Sequence, residues 1–242
     1  MPQNQNAYAS YGTHCHSILE RWAKGELMSF ELADVYTAEY DEAVKEYFPP
    51  FPRGLAGKYY DEGLQYFKSF DGFGDHYDIL SVEDRFELDI RGSRFVGIAD
   101  LILRDKNSGM ITVIDHKSKS MQSLKKKLFE NTRQLYTYAA YVKERFGEFP
   151  SMLRFNMFRY GKFVDEPFSM ERHNETMDWI ERTIEGIRSD KKWLVSSSGY
   201  FCKFICSTRD HCPIGQEIIH SNERSITHLV VRETTAPVNE KN

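Results

Sequence analysis

Residues 95–117 constrain this chain more than any other stretch. Phe95 to Asp105 and Met110 to Lys117 are two largely apolar runs separated by Lys106-Asn107-Ser108-Gly109. Both are short and bounded by turn residues, so they read as two strands joined by a turn. Asp100 stands within the first, and Asp115 near the end of the second, with Lys117 two positions further on. On an extended strand, side chains two apart leave the same face, which puts Asp115 and Lys117 together. The hairpin is a candidate metal site carrying its own catalytic base.

The remaining elements are read by period. After a polar, loosely ordered first dozen residues, Cys15, Ile18, Leu19, Trp22 and Ala23 repeat at helical spacing, which predicts a helix over 12–23 with Thr13 as N-cap. His16 lies on that helix, and a helix-borne histidine is more often structural or solvated than a ligand. Two helices are expected at 29–47 and 55–70, split by Pro49-Pro50-Phe51-Pro52. Their aromatics, Tyr36, Tyr40, Tyr47, Tyr59, Tyr60, Tyr66 and Phe67, fit a core better than a nucleic-acid stacking surface. From residue 79 the period changes to two: Val82, Phe86, Leu88 and Ile90 share one face of a strand over 79–90. Arg91-Gly92-Ser93 then turns it into strand 94–104, and strand 110–116 completes an antiparallel meander.

A long amphipathic helix is expected over 122–146, with Leu124, Leu128, Leu135, Tyr138, Ala139 and Val142 toward the sheet. Strands at 152–160 and 162–164, turning at Gly161, precede a helix at 171–189. Ser196-Ser197-Ser198-Gly199 breaks that helix from a segment holding Cys202, Cys206 and Cys212. The tail from 216 is polar and weakly patterned, and its last residues are expected to be disordered.

A length of 242 residues with 40% hydrophobic content suits one sizeable core, or a core with an inserted subdomain. No run approaches the roughly 18 apolar residues that cross a bilayer, and the polar start lacks the parts of a signal peptide. A cytoplasmic location without membrane partners follows as the expectation. The formal charge of -4 argues against a generally basic nucleic-acid coat, so phosphate contacts must come from a local basic patch or a bound metal. In such a compartment the four cysteines read as thiols or metal ligands rather than disulfides.

Phosphodiester hydrolysis needs charge neutralised on the phosphoryl oxygens and a deprotonated water held in line with the leaving group. Asp100 and Asp115 on adjacent strands can hold one or two Mg²⁺ or Mn²⁺ ions, since hard cations prefer oxygen. The Lys117 ammonium can orient the water or stabilise the transition state. On the following helix Gln134 and Tyr138 lie one turn apart and project together, positioned to bind a strand or to hold the lysine. Lys125-Lys126-Lys127 is a solvated charge run unless the cleft lies beside it. Each piece alone is ordinary; their order and spacing carry the signal.

Gly12-x3-His16, Gly97-x2-Asp100, Asp115-x-Lys117-Ser118 and Gln134-x3-Tyr138, in this order, resemble the PD-(D/E)XK nuclease superfamily, specifically its RecB-like branch, which includes phage and CRISPR-adaptation nucleases. The resemblance implies an α/β fold of the restriction-endonuclease type, a central mixed sheet flanked by helices. It is laid out as one nuclease domain over 1–215 with a helical insertion at 27–75, a cysteine segment at 199–215 and a tail at 216–242. It implies His16, Asp100, Asp115 and the backbone carbonyl of His116 as metal ligands, Lys117 as the catalytic lysine, and Gln134 and Tyr138 as supporting or DNA-contacting residues. Glu83 is a weaker supporting candidate left outside this set. The implied activity is metal-dependent DNA hydrolysis with Mg²⁺ or Mn²⁺. The alternative is a non-catalytic nucleic-acid-binding or assembly subunit that keeps the fold. No G-x4-G-K-[ST] phosphate loop appears, so any helicase or recombination partner is a separate protein.

The cysteine segment resembles the C-terminal triplet of iron–sulfur members of this branch, which hold a [4Fe–4S] cluster with four cysteines. The fourth ligand usually lies well upstream of the histidine helix, whereas here Cys15 adjoins His16. Three readings stay open: a cluster completed by Cys15 or a non-cysteine ligand, zinc on Cys202, Cys206 and Cys212 with His211, or no metal.

Overall fold

The computed structural model describes residues 6–191 and 199–220. The expected break at Ser196–Ser198 and the tail beyond 220 lie outside the described residues. The chain divides into two compact units, Ala7–Glu185 and a second made from the residues before Ala7 and those from Gly186 onward.

In the first unit, helix α1 spans Ala7–Ala23, α2 Leu32–Ala43 and α3 Leu55–Ser69. Strands β1 (Tyr77–Ile90), β2 (Ser93–Asp105) and β3 (Ile111–His116) follow, then α4 (Met121–Lys126), α5 (Leu128–Phe146), β4 (Met152–Met157), β5 (Lys162–Pro167) and α6 (Met170–Ser189), whose end passes into the second unit. The sheet runs β1-β2-β3-β4-β5 in chain order, antiparallel except for the β3–β4 pair. That parallel pair requires a crossover, and α4 and α5 supply it. All six residues of the central strand β3 are buried, in keeping with its continuous apolar run.

One core lies between sheet and helices. Phe86, Leu88, Ile102, Val113, Leu153 and Phe155 of the strands pack with Leu135, Tyr138, Ala139 and Val142 of α5 and Ile180 of α6. A second core is almost wholly aromatic: Tyr11, Tyr36, Tyr40, Tyr59, Tyr66, Phe67 and Phe158 interlock where α1, α2 and α3 meet. Most of the rings meet tilted or edge to face, such as Tyr11 and Tyr59 at 5.0 Å and 80°. Gly97 allows the tightest approach in the sheet, since a Cβ there would lie 2.4 Å from Cζ of Phe86. Phe86 in turn stacks on Tyr141 at 4.4 Å and meets Tyr138 edge-on at 5.9 Å.

Several expected boundaries are revised. Helix α1 begins at Ala7, so Thr13 lies within it and is no N-cap; Ala7, Ser10 and Tyr11 are buried, because the polar-looking start holds its small and aromatic residues at helical spacing. Helix α2 stops at Ala43, which leaves Tyr47 98% exposed and outside the aromatic core. The expected helix over 122–146 is broken at Lys127, whose φ of -130° and ψ of 39° separate α4 from α5. The expected strand to 160 ends at Met157 and closes in a 3-10 turn at Phe158–Tyr160.

Val82 does not share a face with Phe86. It packs with Leu101, Leu103 and Ile114, while Phe86, Leu88 and Ile90 belong to the main core. Between them Glu83 adopts a left-handed φ of 45°, which interrupts the alternation of β1.

In the second unit, α7 (Gly199–Phe204), a 3-10 turn at Arg209–His211 and α8 (Pro213–His220) pack together. Among the described residues no helix is long and apolar enough to cross a membrane.

Candidate metal and active site

The ladder between β2 and β3 ends at the pair Leu101 and Ile114, one residue before Asp100 and Asp115 would face each other. From there β3 pairs only with β4, through Asp115–Phe155 and His116–Asn156. The strands separate where the carboxylates begin. Oδ2 of Asp100 accepts the His116 backbone N–H at 2.7 Å, replacing the missing ladder bond and fixing the carboxylate across the gap.

Helix α1 crosses this opening and brings His16 to it. Nδ1 of His16 lies 3.5 Å from Glu83 and 3.6 Å from Asp100, and the other ring nitrogen lies 2.9 Å from the His116 carbonyl. A proton on Nε2 donated to that carbonyl leaves the Nδ1 lone pair toward the two carboxylates. Ligand atoms of His16, Glu83 and Asp100 lie within 4.8 Å of one another, the only such group of three or more His, Cys, Asp or Glu among the described residues. Glu83 carries one of the two positive φ values outside glycine among those residues. A glutamate held in that sparsely populated region costs on the order of 1–3 kcal/mol, and the site is where this strain sits.

Asp115 is 1% exposed, and neither of its oxygens has a well-directed hydrogen bond. Nζ of Lys117 stands 2.6 Å from Oδ2 as an ion pair. Lys117 is held from its other side by Oε1 of Gln134 at 2.9 Å, and Nε2 of Gln134 donates to the Tyr138 hydroxyl at 2.5 Å. The structure thus joins Asp115, Lys117, Gln134 and Tyr138 in one chain of contacts reaching from β3 to α5.

The electrostatics record crowded negative charge. Burial first, and then the neighbouring Asp115, push Asp100 up to about 7. Burial likewise raises Asp115, with Lys117 opposing it. For His16 burial works against the charged form, yet Glu83, Asp100 and Asp115 together raise its pKa. A cation between them would relieve all three groups. The His116 ring is buried and held neutral, its pKa well lowered by burial and then by His16. Its Nδ1 lies 3.0 Å from Asn156 and the ring stacks on Phe73. His16 meets both parts of this residue, its ring edge to face at 5.5 Å and its carbonyl at 2.9 Å.

Every residue expected here from the sequence except the cysteines falls in this cluster, and Glu83 joins it. Three consecutive charged residues, Glu83-Asp84-Arg85, in an otherwise alternating strand were the available signal of a local interruption.

The group of ligand atoms at the site includes no cysteine. Cys15 is buried in the aromatic core beside Tyr11, and burial pushes its thiol up strongly. Cys202 is buried, Cys206 and Cys212 are half-buried, and all four thiols are free. Thiolates on one zinc lie about 3.8 Å apart by tetrahedral geometry. Among the described residues Cys202, Cys206, Cys212 and His211 form no group with ligand atoms within 4.8 Å of one another.

The five-stranded mixed sheet with flanking helices is a fold of the restriction-endonuclease type. The PD-(D/E)XK nuclease superfamily model matches residues 1–213, and the chain belongs to that superfamily. A solved structure described as "Crystal structure of SSO0001" is similar over 89% of this chain and 88% of its own, at 18% identity and a TM-score of 0.35. No curated protein matches the chain. Members of the superfamily generally hydrolyse phosphodiester bonds with a divalent metal.

Proposed function

We propose that this chain is a metal-dependent deoxyribonuclease of the RecB-like type. The observation that supports it most is the juxtaposition of the His16, Glu83 and Asp100 triad with the Asp115–Lys117 pair at the point where β2 and β3 separate. Two strand carboxylates, a glutamate and an imidazole suit Mg²⁺ or Mn²⁺, and Asp115, whose Oδ2 meets Lys117 and whose Oδ1 has no hydrogen-bond partner, supplies buried negative charge that such an ion would satisfy. His16, Glu83, Asp100 and Asp115 would hold it, with the His116 carbonyl orienting His16. When bound, the ion supplies neutralisation of phosphoryl charge and makes a water easier to deprotonate.

The chain's own groups do the rest. Lys117 places a fixed positive charge beside the carboxylates, where it can align an attacking water and stabilise charge on the phosphate in the transition state. Gln134 fixes the lysine against rotation, and Tyr138 fixes Gln134. Burial keeps competing water away from Asp115, which strengthens each of these interactions.

The test uses single- and double-stranded DNA, linear and circular, with RNA alongside, in Mg²⁺, Mn²⁺ or EDTA. Cleavage of DNA that EDTA abolishes and Lys117→Ala or Asp115→Ala removes is the expected result. Equal cleavage by wild type and both variants overturns the assignment, and a preference for RNA overturns the substrate class. The C-terminal cysteines stand outside this reading; iron content and the visible spectrum of anaerobically purified protein decide whether a [4Fe–4S] cluster binds there.

A further inference from the structure

We propose that the groove beside the carboxylate site is a base-stacking channel for an unpaired DNA strand, with Trp179 and Arg133 as its platform. The inference rests on the nuclease reading for its choice of ligand and deepens it by naming the strand state that is bound.

A cavity of about 770 Å³ is lined both by Glu83, Asp100, Gln134 and Tyr138 of the site and by Arg133 of α5 and Trp179 of α6. The two regions share one space. The indole of Trp179 is 37% exposed, and the Arg133 guanidinium carbon lies 4.2 Å from its ring centroid. Val96 and Ile98 of β2 also line the cavity and are 43% and 47% exposed, so the lining presents aliphatic as well as aromatic surface.

The lining discriminates between strand states. A duplex presents phosphates and is met by rows of cations, and an apolar floor gives it nothing. Unpaired bases have faces to cover: each stacks on an aromatic ring or a guanidinium plane, and the aliphatic wall gains from being covered. The volume lies in the range of drug-sized ligand pockets, roughly 300–1,000 Å³, room for a nucleotide or two and not for a duplex. Charge agrees in part. Arg85 and Arg133 line the cavity, and neither pairs with a carboxylate among the described residues. Glu130 also lines it, so the stacking surface rather than net charge sets the preference.

The experiment measures fluorescence anisotropy of a labelled oligo-dT strand, the matching duplex and an abasic strand, in Mg²⁺. The Lys117→Ala background keeps the strands intact. One stacked base contributes about 1–3 kcal/mol, so Trp179→Ala should weaken single-strand binding about 5- to 150-fold. Duplex binding should not move, and Trp179→Phe should recover most of the loss. The abasic strand should bind weakly and ignore Trp179→Ala. Unchanged single-strand affinity, equal weakening toward the duplex, or an abasic strand that binds as tightly as oligo-dT overturns the proposal. Should Trp179→Ala fail to fold, the abasic arm on the parent protein decides alone. Cleavage assayed separately with Trp179 intact keeps the two readings distinct. No cleavage with base-dependent binding sinks the nuclease reading only; cleavage with base-independent binding sinks the channel only.

Discussion

Two buried regions meet on helix α1 and obey opposite rules. On one side, Cys15 faces the aromatic layer of α1, α2 and α3, where every ring gains by leaving water. On the other, His16 faces Glu83, Asp100 and Asp115, where burial penalises each carboxylate. Adjacent helical residues point roughly 100° apart, so one turn of helix serves both. The aromatic layer holds the helix down, and the carboxylate centre draws on that rigidity to keep like charges close. Stability and chemistry are thus assigned to neighbouring but separate groups.

The comparison breaks if variants fail to sort by region. The largest effect is expected in the aromatic layer. Phe67→Ala, removing a ring that is 1% exposed, should cost about 3–5 kcal/mol in urea unfolding while leaving cleavage per folded molecule near wild type. Lys117→Ala should instead cut cleavage per folded molecule about 10²- to 10³-fold, and it should lower the unfolding midpoint of the metal-free protein because the buried Asp115 loses its paired ammonium. Glu83→Gln should weaken Mg²⁺ binding about 10- to 100-fold by calorimetry, with cleavage restored at high metal; an unchanged affinity would remove Glu83 from the ligand set.

The smallest effect concerns pH. Asp100 titrates near 7 in the folded protein against an ordinary value of 3.8, so between those values the folded state binds more protons than the unfolded state. Metal-free protein should therefore lose stability as pH rises from about 4 to about 7. Asp100→Asn should flatten that slope and stabilise the metal-free protein at neutral pH by about 1 kcal/mol, whereas in Mg²⁺ the wild type should be the more stable. A wild-type slope of the opposite sign would contradict the picture of a charge-crowded site.

The pairing of Asp115 with Lys117 and of Gln134 with Tyr138 was legible in the sequence because strand and helix periodicity carries those relative positions: two residues along a strand, four along a helix. Asp115 and Lys117 need no knowledge of the fold to be placed together. Glu83 was not legible in the same way. Its approach to His16 depends on a left-handed φ in β1 and on α1 crossing the sheet, and neither leaves a periodic trace. The same backbone departure reversed the facing of Val82. Lys127 was missed for another reason: the pattern of Leu124, Leu128 and Leu135 runs on across the break, so periodicity cannot report that the backbone turns there. The start of α1 was hidden by composition, since Ala7, Ser10 and Tyr11 look polar or neutral by type and are buried only because α2 and α3 cover them.

The contact between the His16 ring and the His116 carbonyl joins residues separated by 100 positions. The strands assemble largely from neighbours in sequence, because the five are linked in order by three short connections and one helical crossover. The site does not. Its closure waits on a long loop, and long-range contacts form late for entropic reasons. A ribosome releases α1 before the strands, and that helix meets Glu83, Asp100 and the His116 carbonyl only once β1, β2 and β3 have followed it. The centre therefore comes into being only with the finished unit, and a half-made chain carries the parts of the centre without the centre itself.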